Sequence, residues 1–354
     1  MDSKSLGHRF MTFVEQVLRA MQFNPKLYAE PMMQNNYHPD LYMDGHGLKG
    51  LVETKFYRSR QVAYQTLFAA ATKLASYEYL NNKENLLLVV SCIVPRVVKA
   101  DIFNQLGVVI WDRSNLAVFL ASLPAGDFYL SDFGHFIMEA QQGLNTEDPY
   151  YDLDENVDDN PVLYFQPIPD RPQVTPKNTG QTLKEQFMIL PSGQKGWMAY
   201  ERLCEESLKY LFDQDLSKWT QQKKTDDGLS RYDLICRIGS QDDFWKTLTQ
   251  SFNSRYILFE FKNYSTKVTQ DQIYSTERYL FPKALRATCI ILSKGGHSDG
   301  ALTAAKGSLR EHGKLILLLN QDDLYEMLIL RDNGDSPNDY LSDKLDDFLM
   351  SLSR

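Results

Sequence analysis

The stretch Tyr256-Ile257-Leu258-Phe259-Glu260-Phe261-Lys262 is an apolar run that ends in two opposite charges. Consecutive side chains of a β-strand point to opposite faces, so Glu260 and Lys262 are predicted to lie side by side. Charged groups in such a strand are costly to bury unless they pair with each other or hold a metal ion. A second stretch, Leu51-Val52-Glu53-Thr54-Lys55, repeats the acid-x-lysine pattern. Two such strands indicate two copies of one charged site.

The chain around each of these strands also repeats. After each one, the hydrophobic pattern predicts helix, strand, helix, strand and helix in that order. The separation between Glu53 and Asp112 is close to that between Glu260 and Asp322. This agreement favours duplication of one module. The predicted fold class is α/β, with two domains that each contain a central mixed β-sheet flanked by helices.

The predicted elements of the first half begin with a helix at 6–22 and a turn-rich stretch up to Gly50. They continue with strand Leu51–Phe56, helix 60–80, strand Leu86–Val94, a helix from Pro95 to Leu106, strand Val108–Trp111 and a helix capped by Asp112 or Ser114. Those of the second half are helix 198–212, strand Tyr232–Ile238, strand Tyr256–Lys262, helix 269–280, strand Thr288–Leu292, helix Asp299–His312, strand Leu315–Leu319 and helix Gln321–Leu330.

The length of 354 residues exceeds that of one average domain, and two domains are expected. Residues 144–195 interrupt the repeating pattern with an acidic run and scattered prolines. The expected domains are therefore 1–143 and 196–354, with 144–195 as the linker between them. Such a linker is a solvated tether, or an acidic segment that masks a basic groove until nucleic acid displaces it.

Composition excludes several classes of protein. The net charge of −8 disfavours a protein that coats nucleic acid through bulk attraction, but it allows a local basic groove. The four cysteines form no CxxC pair, so a zinc ribbon is not expected. The N-terminal residues lack a signal-peptide core, and the longest apolar runs have only the length of a strand. We expect a soluble cytoplasmic protein with no membrane partner.

The charged residues of the second half suit one particular chemistry. Hydrolysis of a phosphodiester needs a cation at the scissile phosphate and an activated water. Mg²⁺ prefers oxygen ligands and keeps several waters, and Mn²⁺ is the alternative. We expect Asp233, Glu260 and the carbonyl of Phe261 to be the protein ligands. Lys262 would orient the attacking water or stabilise the developing charge.

The first half offers a corresponding set. Asp40 lies in a His-Pro-Asp turn upstream of the strand that carries Glu53 and Lys55. The expected ligands are Asp40, Glu53 and the carbonyl of Thr54, with Lys55 as the cation. The competing interpretation is that this half keeps the site residues without cutting and serves DNA binding or dimerisation.

These residues resemble the PD-(D/E)xK nucleases, in particular the restriction-endonuclease-like and Mrr-type branch. Pro39-Asp40 followed by Glu53-Thr54-Lys55 matches the pattern literally, whereas the second half has Tyr232-Asp233 in place of Pro-Asp. The resemblance covers roughly residues 8–120 and 197–330. It implies two restriction-endonuclease-like domains in tandem.

The resemblance extends to further residues. A glutamate on the first helix of the family often lies near the metal, and Glu15 and Glu201 match that position. A QxxxY pattern often follows the catalytic strand, and Gln270 begins such a pattern here. Basic residues around the two sites would contact phosphates. The predicted substrate-binding residues are Gln270, Arg231, Lys267 and Arg58.

One further stretch contains glycine and lysine. Ser293-Lys294-Gly295-Gly296-His297 loosely resembles a loop that cradles phosphate. It lacks the spacing of a P-loop, so no ATPase is implied.

The leading functional expectation is a Mg²⁺-dependent endonuclease that cuts duplex DNA. Both halves could cut, or one half could target the DNA while the other cuts. The resemblance implies a role in restriction, anti-phage defence or mobile-element biology, acting as a homo-oligomer or with a partner protein of a defence system. Two alternatives stay open. One is a nucleic-acid-binding or scaffolding protein with one or both sites inactive, and the other is an RNA-cleaving effector.

Overall fold

The computed structural model describes residues 2–27, 38–77, 84–123, 131–136, 157–165, 174–221, 232–240 and 242–352. The chain divides into two compact units. Unit 1 comprises Met1–Lys177 and Asn333–Asp335, and unit 2 comprises Asn178–Asp332 and Ser336–Arg354. Each unit contains one five-stranded mixed sheet with helices packed around it. This architecture confirms the predicted α/β class.

The elements of unit 1 are, in chain order, α1 (Ser3–Ala20), β1 (Lys26–Leu27), β2 (Leu41–Gly45), β3 (Leu48–Lys55), α2 (Tyr64–Tyr77), β4 (Asn85–Val90), α3 (Arg96–Leu106), β5 (Val108–Trp111), α4 (Arg113–Ser122) and a 3-10 turn at Pro161–Tyr164. The strands lie in the order β1-β2-β3-β4-β5. The first three are antiparallel neighbours, and β3, β4 and β5 are parallel neighbours. The acid-x-lysine strand β3 is therefore the central strand, with an antiparallel neighbour on one side and a parallel neighbour on the other.

Alternate residues of the unit 1 strands contribute to two apolar layers, one on each face of the sheet. Val52, Leu87 and Val89 pack with α1 and α4 on one face. Their neighbours along the strands, such as Leu51 and Leu88, pack with α2 and α3 on the other face. The sheet is covered on both sides because its central strands are apolar on both faces.

The elements of unit 2 are α5 (Thr179–Ile189), α6 (Trp197–Phe212), β6 (Leu216–Gln221), β7 (Leu234–Ile238), α7 (Asp243–Ser251), β8 (Tyr256–Lys262), α8 (Gln270–Glu277), β9 (Thr288–Ser293), α9 (Asp299–His312), β10 (Leu315–Asn320), α10 (Gln321–Asp332) and α11 (Pro337–Met350). The strands lie in the order β6-β7-β8-β9-β10. The pairs β6/β7 and β7/β8 are antiparallel, and β8/β9 and β9/β10 are parallel. The two units thus share one strand order and one pattern of strand directions.

The match between the units extends to a helix cap. Asp112 and Asn115 exchange hydrogen bonds between side chain and backbone at the start of α4. Asn320 and Asp323 do the same at the start of α10. The aspartate and the asparagine have changed places, so the counterpart of Asp112 is Asn320 and not Asp322. The two units therefore repeat one structure, as the sequence indicated. The sequence comparison aligned Asp112 with Asp322, two residues beyond its true counterpart Asn320.

Several predicted elements agree closely with the structure. The strands Val108–Trp111 and Tyr256–Lys262 and the helix Asp299–His312 have the predicted bounds. Asp112 caps α4, and Gly107 ends α3 in the left-handed conformation. Local signals decide these elements, because each has a strong cap or a continuous apolar run.

Other predictions need correction. The stretch before Gly50, predicted to be turns, contains β2, which joins β3 through a tight hairpin at His46-Gly47 with positive φ at both residues. β1, β6, α7 and α11 were not predicted from the sequence. The helix α5 lies within the predicted linker 144–195 and belongs to unit 2, so the units divide between Lys177 and Asn178.

The four cysteines are free and buried. Among the helices in the described ranges, none combines the length and apolar character that a membrane span requires.

Candidate active site

Two adjacent strands of unit 2 bring Asp233 to Glu260. Leu234 pairs with Phe259 across the β7/β8 ladder, which puts Asp233 beside the end of β8. The backbone N–H of Phe261 donates a hydrogen bond of 2.7 Å to Oδ2 of Asp233. The aspartate is therefore held by the one amide that lies between the two charged residues of the acid-x-lysine strand.

Glu260 and Lys262 form a buried ion pair. Nζ of Lys262 lies 2.7 Å from Oε2 of Glu260, and their side chains are 17% and 4% exposed, respectively. This contact agrees with the prediction that the two side chains share one face. The second carboxylate oxygen of Glu260, Oε1, is buried and has no hydrogen-bond partner among the described residues. A buried oxygen in that state is costly and calls for an additional ligand.

The pKa values of this pair follow from burial and mutual attraction. Burial raises the pKa of Glu260 to about 7; Lys262 opposes this rise, and Asp233 adds to it. Burial lowers the pKa of Lys262, but the carboxylates of Glu260 and Asp233 outweigh it and leave that pKa above its ordinary value. Lys262 is therefore a cation at neutral pH, beside an acid that is close to its titration midpoint.

Unit 1 repeats this geometry at Asp40, Glu53 and Lys55. Leu41 pairs with Val52, which puts Asp40 beside the end of β3. The backbone N–H of Thr54 donates to Oδ2 of Asp40 at 2.8 Å, and the Thr54 hydroxyl donates to the same oxygen at 2.6 Å. Nζ of Lys55 lies 3.1 Å from Oε1 of Glu53.

One contact distinguishes the lysine of unit 1. Nζ of Lys55 donates to Oδ1 of Asp335 at 2.9 Å, and Asp335 belongs to the same unit. The side chain of Lys55 is 10% exposed. Burial alone would lower its pKa, but Asp335 and then Glu53 raise it well above the ordinary value. The ammonium of Lys55 is thus shared between two carboxylates, whereas that of Lys262 forms an ion pair with one carboxylate among the described residues.

A cavity of about 510 Å³ opens beside the unit 2 site. Its wall includes Asp233, Phe261 and two glutamates of α6, Glu201 and Glu205. Glu201 therefore lies where the sequence expected a helper residue. Glu205 is buried, forms an ion pair of 2.8 Å with Lys209 and accepts a hydrogen bond from Gln221. The cavity offers room for a phosphate-bearing strand next to the carboxylates.

The donor set of unit 2 suits a hard cation. Among the described residues, no three His, Cys, Asp or Glu side chains gather closely enough to hold a metal ion. A cation here would depend on Asp233, Glu260, a backbone carbonyl and water, which is a set that Mg²⁺ accepts. The unpartnered Oε1 of Glu260 fits this role, because a ligand there leaves the bond from Lys262 to Oε2 in place.

The remaining predicted residues differ in their surroundings. Lys267 and Gln270 are exposed at the start of α8, and Lys267 lines a second cavity of unit 2. Arg58 donates to the hydroxyl of Ser3 at 3.2 Å. Arg231 lies outside the described residues.

Glu15 pairs with Arg19 on α1 at a distance of 2.7 Å. This contact of i and i+4 gives Glu15 a local partner on its own helix. It contrasts with Glu201, which faces the cavity beside Asp233.

Two residues of these sites were missed by the sequence analysis. Glu205 follows Glu201 by four residues, so helical spacing could have placed both on one face. Asp335 lies 280 residues from Lys55, and no local pattern connects them.

No family model matches the chain, and no solved structure matches it. A segment of 116 residues is 27% identical to the "Putative transposon gamma-delta 80.3 kDa protein" of Escherichia coli (strain K12). The match covers 32% of this chain and spans only 16% of that protein.

Proposed function

We propose that the chain is a metal-dependent endonuclease that hydrolyses phosphodiester bonds of duplex DNA, with its cutting centre in unit 2. The observation that carries the proposal is the carboxylate of Glu260. It is buried beside Asp233 and Lys262, one of its oxygens has no hydrogen-bond partner among the described residues, and a cavity lies next to the site. Burying such a carboxylate in an apolar core costs free energy, whereas a cation site needs a carboxylate oxygen as a ligand.

Each residue has a role in this proposal. Asp233, Glu260 and the carbonyl of Phe261 hold Mg²⁺ or Mn²⁺. The bound cation would polarise the scissile phosphate and lower the pKa of water. Lys262 keeps its charge and stabilises the negative charge that develops on the phosphate oxygens. Asp233 is oriented for this task by the amide of Phe261.

We assign unit 1 a supporting role in this proposal. Lys55 is held between Glu53 and Asp335, so its ammonium is less available to a phosphate than that of Lys262. Unit 1 then positions DNA while unit 2 cuts it.

The biological setting is a further part of the proposal. The similar Escherichia coli protein is named for a transposon, which among restriction, anti-phage defence and mobile-element biology supports the last. We also propose a cytoplasmic location, because the four buried cysteines are unpaired and thiols stay reduced in that compartment.

A cleavage assay tests this proposal directly. The purified full chain is incubated with supercoiled plasmid, linear duplex DNA and single-stranded RNA, with Mg²⁺, Mn²⁺ or EDTA. We expect DNA cleavage that EDTA abolishes. Cleavage of RNA alone would identify an RNA-cleaving effector, and binding without cleavage would identify a binding protein.

The matched variants are Glu260→Gln and Glu53→Gln, which change the same position in the two units. Glu260→Gln should lower the cleavage rate by about 10²-fold or more, the usual effect of removing one group that stabilises charge in the transition state. Glu53→Gln should change it by less than about threefold. Circular dichroism confirms that both variants are folded. Full cleavage by Glu260→Gln contradicts the assignment.

A further inference from the structure

A second cavity of unit 2, of about 530 Å³, lies at the carboxyl ends of its parallel strands. Lys262 pairs with Ser293 across β8/β9, and Ser293 pairs with Asn320 across β9/β10. Asn320 lines the cavity, and so does Lys294, whose N–H donates to the carbonyl of Lys262, so the cavity borders the end of β8 but includes neither Asp233 nor Glu260. Its volume falls within the range of small-molecule sites.

The loop after β9 forms one side of this cavity, and two of its positions require glycine. A Cβ atom on Gly295 would lie 2.3 Å from the carbonyl oxygen of Thr266. Gly296 has a φ of +72°, a conformation that favours glycine. Gly295 therefore lets this loop pack against the backbone of Thr266, and Gly296 forms the turn that follows.

Two groups on this side can bind an anion. Lys267 is exposed on the cavity wall, and its side chain forms no ion pair or hydrogen bond with any described residue. Nδ1 of His297 is buried and has no hydrogen-bond partner among the described residues. A phosphate would give both groups an acceptor, since each can donate a hydrogen bond to it.

Other lining residues of the cavity have a different chemistry. The half-buried ring of Tyr325 lies against the fully buried ring of Phe187, with their centroids 6.1 Å apart. Asp322 also lines the cavity and is exposed. Its carboxylate would repel a bare anion, but it suits a ligand that presents hydroxyl or amino donors at a distance from its phosphate. A partly exposed aromatic ring beside such a group is typical of sites for a base.

The corresponding loop of unit 1 carries side chains in place of the two glycines. The N–H of Lys294 donates to the carbonyl of Lys262, and the N–H of Ser91 donates to that of Lys55, so Ser91 is the counterpart of Lys294. Cys92 and Ile93 then stand where unit 2 has Gly295 and Gly296, and they are 0% and 4% exposed. The pair of glycines is thus a feature in which unit 2 departs from its own repeat.

We propose that this cavity binds a nucleoside monophosphate, either as a free nucleotide or as the terminal nucleotide of a strand. Lys267, His297 and the Gly295–Gly296 backbone hold the phosphate. Asp322 accepts hydrogen bonds from the sugar, and the base lies toward Tyr325. The site is separate from the Asp233 and Glu260 carboxylates, and it does not depend on whether they cut DNA.

The test uses the full chain in EDTA, so that metal-dependent cleavage plays no part. Isothermal titration calorimetry measures binding of AMP, CMP, GMP, UMP, dAMP and inorganic phosphate. Fluorescence anisotropy compares short oligonucleotides with a 5′-phosphate and with a 5′-hydroxyl. Binding of free nucleotides identifies one source of ligand, and selective binding of the phosphorylated oligonucleotide identifies the other. Failure of every nucleotide and oligonucleotide to bind overturns the proposal.

Variants locate the site. Lys267→Ala should weaken binding about tenfold, the effect of one charge-assisted hydrogen bond. Lys283→Ala is the matched control, because Lys283 is another exposed lysine of unit 2 that does not line the cavity. Equal effects of the two variants would overturn the assignment.

A second variant separates a nucleotide site from a simple anion site. Asp322→Ala should weaken nucleotide binding while leaving inorganic phosphate unaffected or tightening it. If this variant tightens nucleotides and phosphate alike, the cavity is an anion site only and the nucleotide proposal fails.

Discussion

Unit 1 and unit 2 have the same strand order, the same register and the same aspartate-to-amide bond, yet their lysines have different surroundings. Lys55 lies between Glu53 and Asp335, whereas Lys262 pairs with Glu260. A shared backbone therefore leaves the chemical use of a site undecided. What a site can do depends on the groups that compete for its charged residues, and these come from distant parts of the chain.

The largest expected difference between the units concerns cleavage. Lys262→Ala should lower the rate of metal-dependent DNA cleavage by about 10²- to 10³-fold, because it removes the cation that stabilises the developing charge. Lys55→Ala should leave the rate per folded molecule within about threefold. Initial rates on linear duplex DNA measure both. Equal losses in the two variants would mean that both units cut.

The opposite order is expected for stability. Lys55→Ala leaves two carboxylates without their shared cation and should cost about 3–5 kcal/mol, as for breaking a buried ion pair. Lys262→Ala should cost about 1–2 kcal/mol, because Lys262 is more exposed and has fewer carboxylate partners.

Hydrogen exchange, followed by mass spectrometry on peptides from β3 and β8, measures the two local stabilities separately. Wild-type protection of β3 in Lys55→Ala would show that Asp335 contributes little to holding this lysine.

Metal binding should depend on pH in unit 2. Burial raises the pKa of Glu260 to about 7, against the effect of Lys262 and together with that of Asp233. Below pH 7 a proton occupies the carboxylate and competes with the metal, so affinity should fall by up to about tenfold per pH unit. We expect Mn²⁺ to raise the melting temperature more at pH 8 than at pH 6.

Glu260→Gln should remove this Mn²⁺-dependent rise in melting temperature, whereas Glu53→Gln should preserve it. A rise of equal size at both pH values would place the bound ion away from Glu260.

The smallest effect is expected at the aspartate of unit 1. The hydroxyl of Thr54 donates to Asp40 in unit 1, whereas Phe261 at the same position of unit 2 has no such group. Thr54→Val keeps the shape and should cost about 1 kcal/mol, the net value of one hydrogen bond. Exchange rates of the β3 peptide measure this loss. Unchanged rates would show that the backbone N–H of Thr54 alone holds Asp40.

The sequence predicts well those features that are local. Glu260 and Lys262 meet because they are two residues apart on one strand, and the apolar run marks that strand. The hydrogen bond from the amide of Phe261 to Asp233 is less local, and the sequence predicted only that Asp233 and Glu260 lie at one site. The hairpin of β2 was missed because β2 is short and Asp44, Gly45, His46 and Gly47 resemble a loop.

Contacts between distant segments could not be predicted. Asp335 reaches Lys55 across 280 residues, and the cavity near Lys267 requires α5, β9 and α10 to meet. Neither depends on a periodic pattern. The motif around Gly295 was noticed, but only the hydrogen bonds of the two units reveal that its counterpart in unit 1 is Cys92 and Ile93.

The hydrogen bond that the strand amide donates to the aspartate affects how this sequence pattern is interpreted in genomes. Asp40 and Asp233 each accept a hydrogen bond from a backbone N–H, so each contributes to the stability of the fold in addition to any catalytic role. Selection for folding alone would preserve the aspartate, and the buried lysine with it, in a copy that no longer cuts. A search for this signature therefore counts folded repeats, and the number of working enzymes among them has to be established from the neighbours of each lysine.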